Sequence, residues 1–315
     1  MATMAPTRPK PDDPLQPRAT GTPTRPFPLF QQMTIVGVGL IGGSLGMICK
    51  QQGLVKTIVG GGRRVENLKK AVERKVVDRY ATDLAEAAAG SDLFVLATPV
   101  DTFEAALRAC ASRLARGAIV TDVGSVKGPL VERMEALVPA GIRVVGAHPI
   151  AGKEKTGVEA ASLDLFRDAL CVLTPTSQTD PDALAKVRRL WEACGARVRE
   201  MDPMLHDLVL GAVSHLPHVL AFSLVNTIAM LQERYAPGLD LQAFAGGGYK
   251  DTTRIAASSP EMWRDICLWN RDNLLRQIEL YEARLNHIKA LLKAGDAEGL
   301  TREFTQAKHL REKVT

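Results

Sequence analysis

The sequence predicts a mostly parallel α/β sheet domain followed by an all-helical domain. Two observations carry this. Between Met33 and Glu200, short β-prone apolar runs alternate with helical stretches, the signature of a sheet covered on both faces. From Asp202 onward the strand signal disappears and only helical stretches remain. The strand candidates are residues 33–38, 57–59, 92–97, 118–122, 143–146, 170–173 and 197–200. Helices are expected over 44–52, 65–75, 102–114, 128–137 and 181–194, then over 204–235, 260–293 and 296–312. Asp202-Pro203 supplies a start signal for the first helix of the second half. Residues 236–248 carry the loop signals Pro237-Gly238 and Gly246-Gly247-Gly248. Segment 1–30 holds eight prolines, at 6, 9, 11, 14, 17, 23, 26 and 28, and is expected to be a disordered tail. The expected division is therefore 1–30, 31–201 and 202–315.

Composition narrows the class. A chain of 315 residues with 46% hydrophobic and 24% charged residues has an ordinary globular composition. The net charge of +5 is too small, and the aromatic content of 5% too low, to point to nucleic acid. The five cysteines are scattered with no CxxC pair, so neither a zinc site nor a disulfide framework is expected. Reduced thiols fit a cytoplasmic setting. No apolar run is expected to reach the roughly 20 residues of a membrane span, so no membrane partner is expected.

Gly37-Val38-Gly39-Leu40-Ile41-Gly42 is a GxGxxG motif lying directly after the first strand and opening the first helix. In that context it marks a Rossmann-type dinucleotide site. Gly37 permits the tight turn, Gly39 admits the pyrophosphate and Gly42 lets helix and strand pack closely. The helix N-terminus, at Leu40 and Ile41, offers N–H groups to the phosphates. After the second strand an NAD enzyme usually carries an acidic residue; this chain has Gly62-Arg63-Arg64 and no carboxylate before Glu66. Two guanidinium groups suit a 2′-phosphate, so NADP is favoured over NAD. The opposing view makes Arg63 and Arg64 a solvated helix start. Thr98-Pro99, at the end of the strand before it, is expected to shape the cofactor cleft, with helix capping as Thr98's alternative role.

Three further segments follow strands or kink a helix: Asp122-Val123-Gly124-Ser125-Val126-Lys127, His148-Pro149-Ile150-Ala151-Gly152 and Ser214-His215-Leu216-Pro217-His218. Strand ends in a doubly wound sheet face the ligand crevice, so Ser125 and His148 both belong near a bound nicotinamide. Together with the glycine motif and the segment from Gly246 to Ala256, in this order, these segments resemble the prephenate/arogenate dehydrogenase family over nearly the whole chain from Met33. The family's phenylalanine-arginine pair near the glycine run appears here as Tyr249-Lys250.

The resemblance implies oxidative decarboxylation of prephenate or arogenate with hydride transfer to NAD(P), in tyrosine biosynthesis. It makes His148 the candidate acceptor of the hydroxyl proton, with Ser125 bridging hydroxyl and nicotinamide. His148 read alone divides evenly between a base and a turn residue, and Ser125 alone could cap a helix. The resemblance also implies Arg254 as the carboxylate grip, His218 as a substrate contact, and Glu154 and Trp263 as gates of the site. Long apolar helices in the second half suggest a homodimer. His215 and His218 lie three apart, yet no third ligand has suitable spacing, so no metal is expected.

Two rivals are weighed. A β-hydroxyacid dehydrogenase of the 6-phosphogluconate type would need a lysine base on the first helix of the second domain, and residues 203–249 contain none. A non-catalytic NADP sensor would show a degraded substrate site, against which Ser125, His148, His218 and Arg254 together argue.

Overall fold

The computed structural model describes residues 28–152 and 157–313. In chain order come β1 (Phe30–Val36), α1 (Leu40–Gln51), β2 (Val55–Gly61), α2 (Val65–Glu73), β3 (Arg79–Ala81), α3 (Leu84–Ala88) and β4 (Leu93–Leu96). Then follow α4 (Phe103–Cys110), β5 (Ile119–Asp122), α5 (Gly128–Leu137), β6 (Arg143–Ile150), β7 (Leu170–Thr174), α6 (Pro181–Ala193) and β8 (Arg197–Glu200). The strands form one eight-stranded sheet in the order β3-β2-β1-β4-β5-β6-β7-β8. Every neighbouring pair is parallel except β6 with β7. The chain order reverses direction at β1 and β4, the place where an open sheet leaves a crevice beyond its strand ends.

All seven expected strands are present. Strand β3 was not foreseen: three residues at the sheet edge carry too little periodicity to read. Apolar side chains fill both faces of the sheet. One face packs Ile35, Leu45, Ile48, Phe166 and Trp191; the other packs Phe94, Phe103, Leu107 and Met134. The second cluster continues into Trp263 and Ile266 of the helical half. One core therefore spans the junction.

The helical half contains α7 (Pro203–Leu210), a π-helical segment (Gly211–His215), α8 (Leu216–Tyr235), α9 (Gly247–Thr253), α10 (Pro260–Trp269), α11 (Arg271–Ala294) and α12 (Ala297–Arg311). Three expectations change. The helix foreseen over 204–235 is interrupted by the π segment, two residues before Pro217, whose missing N–H removes one ladder bond. The helix foreseen over 260–293 breaks at Asn270 (φ −106°, ψ 25°). The loop expected through Gly248 becomes helical from Gly247.

By length and composition, Pro203–Tyr235 is also long and apolar enough to cross a membrane, with a hydropathy of 1.8, which corrects the expectation that no such stretch exists. The reason is that isolated polar groups punctuate this run without lowering its average much. Several of them, His206, Asp207 and His215, are buried in hydrogen bonds within the fold.

The glycine turn fixes how α1 meets the sheet. Gly37 has φ +95°, and a Cβ there would lie 2.5 Å from the Ala97 carbonyl oxygen. A Cβ on Gly42 would stand 2.4 Å from the Gly37 carbonyl oxygen and 2.8 Å from Ile35 Cγ2. Both neighbours are fixed by the central strands. Gly42→Ala should therefore destabilise the fold by about 1–3 kcal/mol through overpacking, read as a lower midpoint in urea unfolding. A midpoint equal to that of the unsubstituted protein would show that α1 is free to shift.

Candidate active site

The cofactor cleft begins at the glycine turn. Unlike Gly37 and Gly42, Gly39 has nothing within 4 Å of where a Cβ would sit. The backbone at the start of α1 thus borders open space, and no side chain caps the helix N-terminus. That is the cradle a pyrophosphate requires, and the residues present fit a dinucleotide. Thr98 lies against the turn, its Cγ2 2.7 Å from a Cβ built on Gly37, and its hydroxyl bonds Thr102 Oγ1 at 2.7 Å. The Pro99 carbonyl accepts from Thr102 Oγ1. Arg63 and Arg64 are exposed just past β2, beside the same edge of the sheet. Leu40 and Ile41 are half-buried in the first turn of α1.

His148 sits near the end of β6, opposite Val172 of β7, and is 8% exposed. Strand β6 runs past the end of its parallel pairing with β5, and pairing with antiparallel β7 holds this extension. The Ala147 N–H donates to Asp122 Oδ1 at the end of β5. His148 Nδ1 lies 2.9 Å from His206 Nε2, and His206 Nδ1 lies 2.8 Å from Asp207 Oδ1. Asp207 also accepts from the backbone N–H groups of Lys127 (2.7 Å) and Gly128 (2.8 Å), so a carboxylate of α7 caps the start of α5 across the junction. Lys127 is fully buried. Its ammonium donates to Asp122 Oδ2 and the Gly124 carbonyl, each at 2.6 Å, and to the Val126 carbonyl at 3.0 Å.

A second group of side chains continues from this one. His215 Nδ1 accepts from Asn270 Nδ2 at 2.9 Å, and the His215 ring lies beside the backbone of half-buried Ser125. The His215 and Trp263 rings meet edge-on with centroids 6.0 Å apart. Trp263 stacks on His218 at 3.7 Å, with an angle of 22° between the rings. His218 Nδ1 bonds the Ser214 carbonyl at 2.9 Å and feels the positive charge of Arg254, which is exposed at the end of α9. The expected residues Ser125, His148, His218 and Trp263 thus lie along one run of contacts, with the Arg254 charge near His218. Glu154 lies outside the described residues. Sequence reasoning gave no role to Asp122, Lys127, His206, Asp207 or Asn270. The adjacent His206-Asp207 pair, in the first turns of a helix that starts at a domain junction, was the available signal.

Burial is the main influence on these imidazoles. It holds His148 well below the ordinary histidine range, helped by the Lys127 charge. Burial also lowers His206, against the opposing pull of Asp207, and takes His215 down to about 4. His218 is lowered too, by partial burial and by Arg254. The site therefore holds neutral imidazoles, each with one unprotonated ring nitrogen, and burial opposes their charging.

Over residues 45–200 the chain matches the nucleotide-binding domain of prephenate dehydrogenase, and over 202–306 its dimerization domain. The chain belongs to the prephenate dehydrogenase family. The prephenate dehydrogenase of Bacillus subtilis (strain 168) is 36% identical over 279 residues, covering 88% of this chain and 74% of the relative. A crystal structure of the Aquifex aeolicus prephenate dehydrogenase with hydroxyphenyl propionate and NAD+ superimposes with a TM-score of 0.84 at 41% identity, covering 90% of this chain and 98% of that one. Synechocystis arogenate dehydrogenase gives a TM-score of 0.76 at 32% identity, covering 90% and 100% of the two chains. The chain is accordingly an oxidoreductase with a dinucleotide-binding domain, as the ordered motifs implied.

Neutral buried histidines make stability depend on pH with a definite sign. An unfolded histidine binds a proton below about pH 6.5, whereas burial lowers the pKa of His148, His206 and His215 in the fold. The unfolded state then binds more protons, so stability rises with pH in this range and is lost as pH falls through about 6.5. The urea midpoint should be lower at pH 5 than at pH 7.5. An equal or higher midpoint at pH 5 would mean these rings carry charge in the native state.

Proposed function

We propose that this chain oxidises and decarboxylates prephenate or arogenate to the corresponding 4-hydroxyphenyl product, passing a hydride to a nicotinamide cofactor. The observation that carries the reading is a buried neutral imidazole, His148, at the end of β6, on the same edge of the sheet as the open glycine turn. When bound, the cofactor supplies the hydride acceptor. Gly39, Leu40 and Ile41 would hold its pyrophosphate through backbone N–H groups, while Thr98 and Pro99 shape the cleft beside it.

His148 takes the proton of the C4 hydroxyl as hydride leaves C4. The electron pair of the breaking bond to the C1 carboxylate then enters the ring, carbon dioxide departs and the ring becomes aromatic. The phenolate oxygen recovers the proton from His148, so the protein ends as it began. Aromatisation supplies the driving force, and the protein's task is alignment. Arg254 grips a substrate carboxylate with its forked donors. His218, stacked on Trp263, contacts the substrate, and Ser125 bridges the hydroxyl and the nicotinamide. Glu154 and Trp263 gate the entrance.

NADP is the preferred cofactor on this reading. Support comes from Arg63 and Arg64 beyond β2, where the ribose-binding acid of an NAD enzyme is missing. A homodimer forms through the helical half. Support comes from the match to a dimerization domain and from the exposed Met230, Leu231, Tyr235, Leu280, Leu292 and Phe304.

Three measurements test these points. His148→Asn should lower kcat by roughly 10²–10⁴-fold through loss of the base while cofactor affinity stays nearly constant; near-normal turnover would remove His148 from the chemistry. Replacing Arg63 and Arg64 together by Ala should cut the NADP-over-NAD ratio of kcat/KM by at least about tenfold, a loss of ~1.4 kcal/mol. An unchanged ratio would assign the preference elsewhere. Turnover of prephenate and arogenate side by side fixes the substrate, and silence with both despite cofactor binding would favour a sensor.

A further inference from the structure

We propose that His206 and Asp207 form a relay that fixes the tautomer of His148 and so makes Nε2 its proton-accepting atom. The proposal rests on His148 being the base. It follows from the direction of each hydrogen bond. A carboxylate oxygen only accepts, so His206 Nδ1, 2.8 Å from Asp207 Oδ1, carries a proton. A neutral His206 then presents a lone pair at Nε2. That atom lies 2.9 Å from His148 Nδ1, which must therefore be the donor. His148 is left with its lone pair on Nε2.

Asp207 is itself well fixed. Its two oxygens take the N–H groups of Lys127 and Gly128, and its backbone carbonyl accepts from Asn270 Nδ2 at 2.8 Å. The carboxylate cannot rotate away without uncapping α5. A carboxylate orienting an imidazole through its far nitrogen, and steadying it when it becomes positive, is the arrangement of hydrolase triads. Here a second imidazole stands between the two, and the ring planes of His148 and His206 meet at 66°.

The other groups facing His148 leave this assignment intact. Lys127 is committed to Asp122 and two carbonyls, and His215 to Asn270. Cys171 on β7 is held as a thiol, its pKa raised by burial. Among these groups His206 is the one hydrogen-bonded to the ring. The relay also crosses the junction, because His148 belongs to the sheet and His206 and Asp207 to α7. His206 and Asp207 act through His148, so they are positioning residues.

The test uses the full chain and three variants. In His206→Gln, Oε1 falls near the place of Nε2 and keeps an acceptor for His148; in His206→Asn and His206→Leu that acceptor is gone. The Leu and Asn variants should lose roughly 10–100-fold in kcat with KM for the cofactor unchanged. Their acid limb in kcat/KM should move to lower pH, because the imidazolium has lost its acceptor. The Gln variant should recover most of the loss. Equal losses in all three, at matched unfolding midpoints, would reduce His206 to packing and overturn the relay.

Nitrogen NMR of histidine-labelled protein gives a readout independent of turnover. His148 should appear protonated at Nδ1 and bare at Nε2 in the unsubstituted protein, and as a mixture in His206→Leu. A resting His148 protonated at Nε2 would overturn the proposal even if the variants were slow. An Nδ1-protonated ring combined with active His148→Asn would keep the tautomer but fail the base, separating the two readings.

Discussion

The carboxylate of Asp207 is the interaction on which the arrangement depends. It belongs to the first helix of the second domain, yet it terminates a helix of the first by accepting from the Lys127 and Gly128 N–H groups. These are orphan donors of a helix start, buried where water cannot satisfy them. An unmet buried polar group costs about 1–3 kcal/mol, so the two domains are held in one relative position by the need to satisfy α5. The same oxygen that meets Lys127 also meets His206. The junction and the His206 ring that holds His148 are therefore set by one side chain.

Beneath it lies a buried ion pair. Lys127 and Asp122 are both inaccessible, and each is satisfied beyond the pair: Lys127 by two carbonyls, Asp122 by the Gly124 and Ala147 N–H groups. Such pairs add little net stability over apolar packing, but removing one partner leaves an uncompensated charge. Its effect here is geometric. Asp122 ties the strand carrying His148 to the loop carrying Ser125, and Lys127 adds a positive charge close enough to discourage a second one on His148.

Much of this could be read from residue order alone. Continuous apolar strands, the glycine turn and the strand-end segments with Ser125 and His148 gave the sheet, the cleft and the candidate base, because each is a local signal. Local signals failed where partners come from far along the chain. His206 and Asp207 look like polar interruptions of an apolar helix until the fold brings them to residues 58 and 80 positions away. Asn270 interrupts what reads as one long helix, since its side chain is spent on Asp207 and His215 instead of continuing a surface. Edge strand β3 is too short for any period to show. Arg254 was found through the resemblance and not through spacing, and its neighbour His218 records its charge.

The π-helical segment at Gly211–His215 has a consequence for the helix that follows it. A π turn accommodates one more residue than an α turn, so α8 is wound one position out of step with α7. Each residue of an α-helix advances by about 100°. A chain lacking one residue here would keep its composition and its helices, yet present a different meridian of α8 to Trp263. The place of His218 against the Trp263 ring is thus phased by a single inserted residue, much as one tooth sets the timing of a gear train.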